Sequence, residues 1–260
     1  MRAASRVPAL QVMTEIWLID VERSAAALAQ LERQAPHLTA ADRSRVGVVK
    51  NPADRRQRIA VTTALRVLLE RQAGPRCARL RFVAGTAGKP ALADRSVHFS
   101  LSNIEGYALI GLTRAGEIGV DLERERPLRL SERRRAELTA AATGLAGKPL
   151  TGASPDARFL QAWCRLEAFA KARGAGLGRT LADLGLRSGQ ARTPSDIEVA
   201  CRHAAREARL TVRDVPLGRG LYAAVAIENA APLRPQAFPT DRAGIERLLA
   251  RRLPPRRRAG

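Results

Sequence analysis

Residues Tyr107–Glu123, YALIGLTRAGEIGVDLE, hold two short apolar runs separated by TRAGE. Each run has the length and composition of a strand. Gly116 supplies a turn between them, so the spacing predicts a β-hairpin over 107–113 and 117–123. Alternate residues of a strand share a face. Asp121 and Glu123 therefore project together, about 6 to 7 Å apart at their Cα atoms, while Val120 and Leu122 point into a core. Two such carboxylates can hold one hard cation between them, but an isolated pair reads more readily as a solvated strand end.

Working outward, VMTEIWLID (12–20) predicts a first strand and ERSAAALAQLERQ (22–34) an alanine-rich helix. A second helix is expected over 52–74. Pro52 starts it, Gly74 stops it, and Ile59, Ala60, Leu65, Leu68 and Leu69 form its apolar stripe. Strands are expected at 79–84 and 97–102, helices at 130–142 and 155–173, and strands again near 208–214 and 221–227. From Ala230 the chain is rich in proline and ends in RRLPPRRRAG after one short helical stretch. It reads as a basic, mobile tail. Strands and helices do not alternate regularly, which favours an α+β fold with antiparallel sheets over a doubly wound one.

The 260 residues include 45 Lys plus Arg against 25 Asp plus Glu, a formal net charge of +20. With 45% hydrophobic residues the chain is too apolar to be disordered throughout. Its field favours polyanions as partners: nucleic acid, phosphorylated cofactors, acidic proteins or anionic lipid. Cys77, Cys164 and Cys201 are odd in number and widely spaced, so neither a disulfide framework nor a zinc site is indicated. A reducing, cytoplasmic setting is expected. Glu15 interrupts the first apolar stretch too early for a signal-peptide core, and no segment is long and apolar enough to span a bilayer.

The helix FLQAWCRLEAFAKARGAGL (159–177) changes the weight of the carboxylate pair. Trp163, Glu167 and Lys171 follow at i, i+4 and i+8 and share one face. Glu167 and Lys171 could form a surface ion pair; Glu167 could also be the third carboxylate of an octahedral Mg²⁺ site. AGTAGKPAL (84–92) sets Lys89 after glycines that let backbone approach a phosphate, although GKP is also a common turn. Ser102 and Asn103 can donate hydrogen bonds to phosphate or cap a turn. His98 alternates with Ser100 and Ser102 and reads as structural. No G-x-S-x-G, Walker A or GxGxxG loop is present.

From about Leu38 to Glu228 these stretches together resemble the 4'-phosphopantetheinyl transferases, in particular the longer group that modifies carrier proteins. The family's G-[IV]-D-[ILV]-E stands here as GVDLE, its W-x-x-K-E-A-x-x-K as WCRLEAFAK followed by GAGL, and its GKP as Gly88, Lys89 and Pro90. The resemblance implies that Asp121, Glu123 and Glu167 bind Mg²⁺, with Lys171 on the phosphates of coenzyme A. Its basic helix entrance matches DRSRVGVVKNPADRRQR (42–58), making Arg43, Arg45, Arg55, Arg56 and Arg58 candidates for the nucleotide 3'-phosphate and its surroundings.

Two positions depart from the family pattern. Asn103 stands where the family has His after Ser102, and Leu166 where it has Lys before the metal glutamate. Arg165, about 100° round the helix, is a candidate substitute for that lysine.

The resemblance further implies two pseudosymmetric halves, residues 1–116 and 117–229, with a tail at 230–260, the cofactor between the halves, and a monomer. The implied reaction moves the phosphopantetheine arm of coenzyme A to a serine of an acidic apo carrier protein, releasing adenosine 3',5'-bisphosphate. Asp121, Glu123, Glu167 and Lys171 would carry it. A coenzyme A-binding homologue without turnover and a basic nucleic-acid binder are the alternatives. Few aromatics and no RRM, OB or helix-turn-helix signature weigh against the last.

Overall fold

The computed structural model describes residues 13–186, 193–218, 220–228 and 232–251. Strand β1 (Thr14–Asp20) leads into helices α1 (Val21–Gln34), α2 (Ala40–Gly47), α3 (Pro52–Ala73) and the single turn α4 (Pro75–Ala78). Strands β2 (Phe82–Ala84), β3 (Pro90–Leu92), β4 (His98–Ile104), β5 (Tyr107–Thr113) and β6 (Ile118–Arg124) follow. Helices α5 (Glu132–Ala146), α6 (Pro155–Arg173), α7 (Leu177–Asp183) and α8 (Pro194–Glu207) precede β7 (Leu210–Asp214), β8 (Leu221–Glu228), β9 (Leu233–Ala237) and α9 (Arg242–Ala250).

The fold is α+β. A four-stranded sheet, β4-β5-β1-β9, is antiparallel except for the parallel β1–β9 pair. A three-stranded antiparallel sheet, β6-β8-β7, and the small β2-β3 hairpin complete it. Period-2 alternation divides the strands between three apolar clusters. Trp17 and Ile19 of β1 pack with Leu65 and Leu68 of α3, whereas Ile16 and Leu109 face Val120, Leu122 and Val225 across the gap between the two larger sheets. The opposite face of the three-stranded sheet, with Ala224 and Ala226, packs on Leu166 and Phe169 of α6.

Local chemistry fixes the helix ends. The Asn51 side chain accepts from the N–H groups of Ala53 and Asp54 and Pro52 opens α3, while Gly74 ends it by donating to the Glu70 carbonyl at 2.7 Å. Ser154 and Pro155 open α6, and Gly174 closes it in the left-handed conformation.

Two expectations are corrected. TRAGE is not a hairpin turn: β5 pairs with β4 and β1, and β6 pairs with β8, so the chain passes there from one sheet to the other. Gly116 has φ 128°, and the Glu228 carboxylate fills the space a side chain would occupy while accepting from the Glu117 N–H at 3.1 Å. The proline-rich stretch is no mobile tail over its described part. β9 adds to the free edge of β1, where Pro235 is tolerated because an edge strand has one ladder side open. α9 then buries Ile245 and Leu248 in the α1–α3 cluster. Residues 229–231 and 252–260 of the expected tail lie outside the described residues.

Candidate active site

The site begins where β6 meets α6. A Cβ on Gly119 would stand 2.0 Å from the Ala168 carbonyl oxygen and 2.5 Å from the Ala172 nitrogen, both backbone atoms that cannot step aside. Only glycine lets the helix lie this close to the strand. The close approach brings the partly exposed stripe of α6, Trp163, Glu167 and Lys171, beside the Asp121 face of β6. The spacing argument for that stripe therefore holds residue by residue. Trp163 stacks on Phe159 with ring centroids 6.0 Å apart.

Asp121 is 5% exposed. Its Oδ1 accepts from Lys171 Nζ at 2.6 Å and from Ser102 Oγ at 2.8 Å, and Lys171 Nζ also reaches the Val120 carbonyl at 3.2 Å. Its Oδ2 is buried without a hydrogen-bond partner. Burial pushes the Asp121 carboxyl above its ordinary value against the opposing pull of Lys171 and Ser102. Burial also raises Glu167, and the charge of Asp121 adds to the rise. Glu123, next on the same strand face, is paired with Arg126 at 2.5 Å. Beneath them Cys164 is fully buried, its thiol pushed well above the usual range by burial and by Asp121, and it donates to the Tyr222 carbonyl at 3.3 Å.

Strand β4 stitches the two sheets together through its polar alternation, a role that sequence reasoning left unassigned. His98 Nδ1 meets Glu117 Oε1 at 3.2 Å, Ser100 Oγ accepts from the Val120 N–H at 3.1 Å, and Ser102 reaches Asp121. The signal was the period-2 pattern H-x-S-x-S in an otherwise apolar strand. Asn103, one residue on, points the other way and lines a separate cleft.

That cleft, about 740 Å³, lies between α2, α3 and β4 and is lined by Arg45, Arg58, Asn103, Gln57 and Asp54, with Phe82 beneath. Its floor is held by Arg66, fully buried, which pairs with Asp42 at 2.7 Å, donates to the Ala78 and Leu80 carbonyls and lies 3.7 Å over the Phe82 ring. Burial opposes ionisation of Asp42, but hydrogen bonds from Thr39 and the charge of Arg66 hold its carboxyl below the ordinary value. A smaller cavity of about 260 Å³ is lined by Gly88, Lys89, Glu167, Lys171 and Leu177. Pro90 and Leu101 border both, so the two adjoin as one trough running from Arg45 and Arg58 of α2 and α3 to Glu167 and Lys171 of α6.

Several sequence-predicted residues stand elsewhere. Lys89 lines the small cavity, yet its ammonium is engaged by Glu117 at 3.0 Å and by the Ile118 carbonyl at 2.7 Å. The hydrogen bond from His98 comes first in holding the Glu117 carboxyl down to about 2, and Lys89 adds to it against partial burial. Arg43 donates to the Leu38 carbonyl, and neither it nor the exposed Arg55 and Arg56 lines the trough. Arg165 cannot replace the missing lysine. It is 1% exposed, paired with Asp214 at 2.6 Å, and bonded to the carbonyls of Lys148 and Pro149. Two residues from Glu167, and so about 200° round the helix, it faces the core, and Leu166 is likewise core, at 0% exposure. Among the described residues no three His, Cys, Asp or Glu side chains form a ready-made metal cage, so Asp121, Glu123 and Glu167 do not close round an ion by themselves.

Comparison with known proteins converges on the same strand and helix. Residues 117–225 match the profile of the 4'-phosphopantetheinyl transferase superfamily. A protein of Synechocystis sp. named "Putative 4'-phosphopantetheinyl transferase slr0495" is 36% identical over 135 residues, covering 49% of this chain and 53% of that protein. The chain thus spans about half the length of the curated relative it matches. The segment that carries Asp121, Glu123, Glu167 and Lys171 is the part of the chain that is similar to the 4'-phosphopantetheinyl transferase superfamily.

Proposed function

We propose that the protein transfers the 4'-phosphopantetheine arm of coenzyme A to a serine of an apo carrier protein. The observation that carries this reading is the juxtaposition of Glu167 and Lys171, with Asp121 on the Lys171 ammonium, at one end of a trough whose other end is lined by Arg45 and Arg58. A nucleotide with a pyrophosphate needs such a layout: donors for the phosphates at one end and charge control at the reacting phosphorus at the other.

Asp121, Glu123 and Glu167 are the residues that would hold Mg²⁺. They fit the ion in kind, as hard oxygen donors. What supports the fit is the unpartnered, buried Oδ2 of Asp121 and the rise of the Asp121 and Glu167 carboxyls, caused first by burial and then by neighbouring carboxylate charge. Bound there, Mg²⁺ would supply positive charge that favours the carboxylate forms and offsets charge on the pyrophosphate. Lys171 brings an ammonium to the same point, whereas the Lys89 ammonium on the adjoining wall is held by Glu117. Ser102 fixes the orientation of Asp121.

In the transfer the serine oxygen bonds to the β-phosphorus, the bond from that phosphorus to the bridging oxygen breaks, and adenosine 3',5'-bisphosphate leaves. The serine proton passes to a carboxylate; Glu167, partly exposed on the wall of the small cavity, is the candidate acceptor. Steering by the net charge of +20 favours an acidic carrier, with association that weakens as salt rises.

The test is to incubate the protein with apo acyl, peptidyl and aryl carrier domains, coenzyme A and Mg²⁺, and to weigh the carriers by mass spectrometry. A mass gain equal to the phosphopantetheine arm supports the reading. Coenzyme A binding with no mass gain on any carrier would replace it with a non-turning-over homologue.

A further inference from the structure

At the edge of the four-stranded sheet opposite β4 lies a second cavity, of about 620 Å³, between β1, β9, α1 and α9. Three inter-strand spacings, about 14 Å, separate β9 from β4. No residue lines both this cavity and the trough.

Five arginines border it: Arg23, Arg71, Arg234, Arg247 and Arg251. Arg71 is 6% exposed and pairs with Glu15 at 2.5 Å, but its Nε is buried without a hydrogen-bond partner. The Nε2 of Gln236, also on the wall, is a second buried donor without a partner. The other four guanidiniums have no carboxylate partner among the described residues. The single acid on the wall, Asp241, accepts from the Gly244 N–H as the cap of α9. The fold therefore gathers charge with little to balance it and leaves two fixed donors unused, and such donors are costly unless a ligand satisfies them. The floor is apolar: Trp17 and Phe238 meet edge to face at 6.4 Å beside Leu248.

We propose that this cavity is a second anion site, which takes a small phosphorylated molecule carrying at least two phosphate charges. Guanidinium forks match phosphate oxygens in pairs. The volume lies in the range of small-molecule pockets. Arg71 Nε and Gln236 Nε2 supply the buried donors that position the ligand, and Arg234 and Arg247 supply charge at the mouth.

The chain has two tryptophans, so Trp163→Phe leaves Trp17, 5.5 Å from the Arg71 guanidinium, as the sole indole reporter. Inorganic pyrophosphate is titrated into this protein while its fluorescence is followed, with sodium chloride at matched ionic strength as the control. The site predicts a saturable change, weakened about tenfold or more when Arg234 and Arg247, both exposed and without an ion pair among the described residues, are changed to Ala. Gln236→Leu, which removes one buried donor, weakens it further. Three results would each overturn the proposal: no saturable change, a change reproduced by sodium chloride, or one unaltered by the Arg234→Ala, Arg247→Ala protein.

Discussion

The Lys171 ammonium and the Asp121 carboxylate lie 2.6 Å apart, joining the last turns of α6 to the middle of β6. The contact is partly sheltered, with side chains 28% and 7% exposed. Changing Lys171 to Met removes the cation and leaves a buried carboxylate with only Ser102 for a partner. The expected cost is about 2 kcal/mol of stability at neutral pH, between the values for exposed and buried pairs, measured by urea denaturation. Transfer should fall far more than stability, because the same ammonium lines the end of the trough proposed for the reaction.

Gly119 sets the distance over which that pair can form. Gly119→Ala forces a methyl against the backbone of Ala168 and Ala172, so α6 must move outward. A loss of about 3 kcal/mol is expected, together with loss of transfer in the fraction that remains folded. Gly178, in α7 with nothing near its absent Cβ, is the control: Gly178→Ala should be neutral or stabilising by about 0.5–1 kcal/mol.

Glu117 ties Lys89, Arg95 and His98 to the start of β6. Its carboxyl is lowered from 4.5 to about 2, so its contribution to stability is fully present above pH 4.5 and is lost as pH falls toward 2. Glu117→Gln abolishes that contribution. Denaturation midpoints of the two proteins should differ at pH 6 and converge as the pH approaches 2; a gap that stays constant contradicts the pairing.

Arg165 separates a structural from a ligand-binding role. Its guanidinium is enclosed, and Asp214, 36% exposed, keeps some access to water. Arg165→Ala should cost about 3 kcal/mol through the loss of its charge-assisted hydrogen bonds and packing. The coenzyme A affinity of the folded protein should stay unchanged, by calorimetry at a temperature where the variant is native.

The parts of this molecule that were legible in the sequence are those set by local periodicity. The i, i+4, i+8 stripe of Trp163, Glu167 and Lys171 and the alternation of Asp121 and Glu123 with Val120 and Leu122 come directly from helix and strand geometry. So do the ends of α3, through Pro52 and Gly74. Helices α2 and α8 were missed, although each opens with a capping box, Thr39 with Asp42 and Thr193 with Asp196. What local pattern could not give was pairing between distant segments. β9 joins β1 across more than 200 residues, and its proline suggested a loop until the open sheet edge accounted for it. The sheet change at Gly116 depends on Glu228, and the burial of Arg165 depends on Asp214, partners that no local window contains.

The central claim, that Asp121 governs phosphopantetheine transfer, is tested most directly by initial transfer rates to one apo carrier domain for the wild type, Asp121→Asn and Glu125→Gln. Asn keeps the size and the Ser102 contact but removes the charge. Glu125 is exposed, beyond the end of β6 and outside the trough. The account predicts a fall of about a hundredfold or more for Asp121→Asn and a change within about twofold for Glu125→Gln. Wild-type transfer that Asp121→Asn retains in full would contradict it.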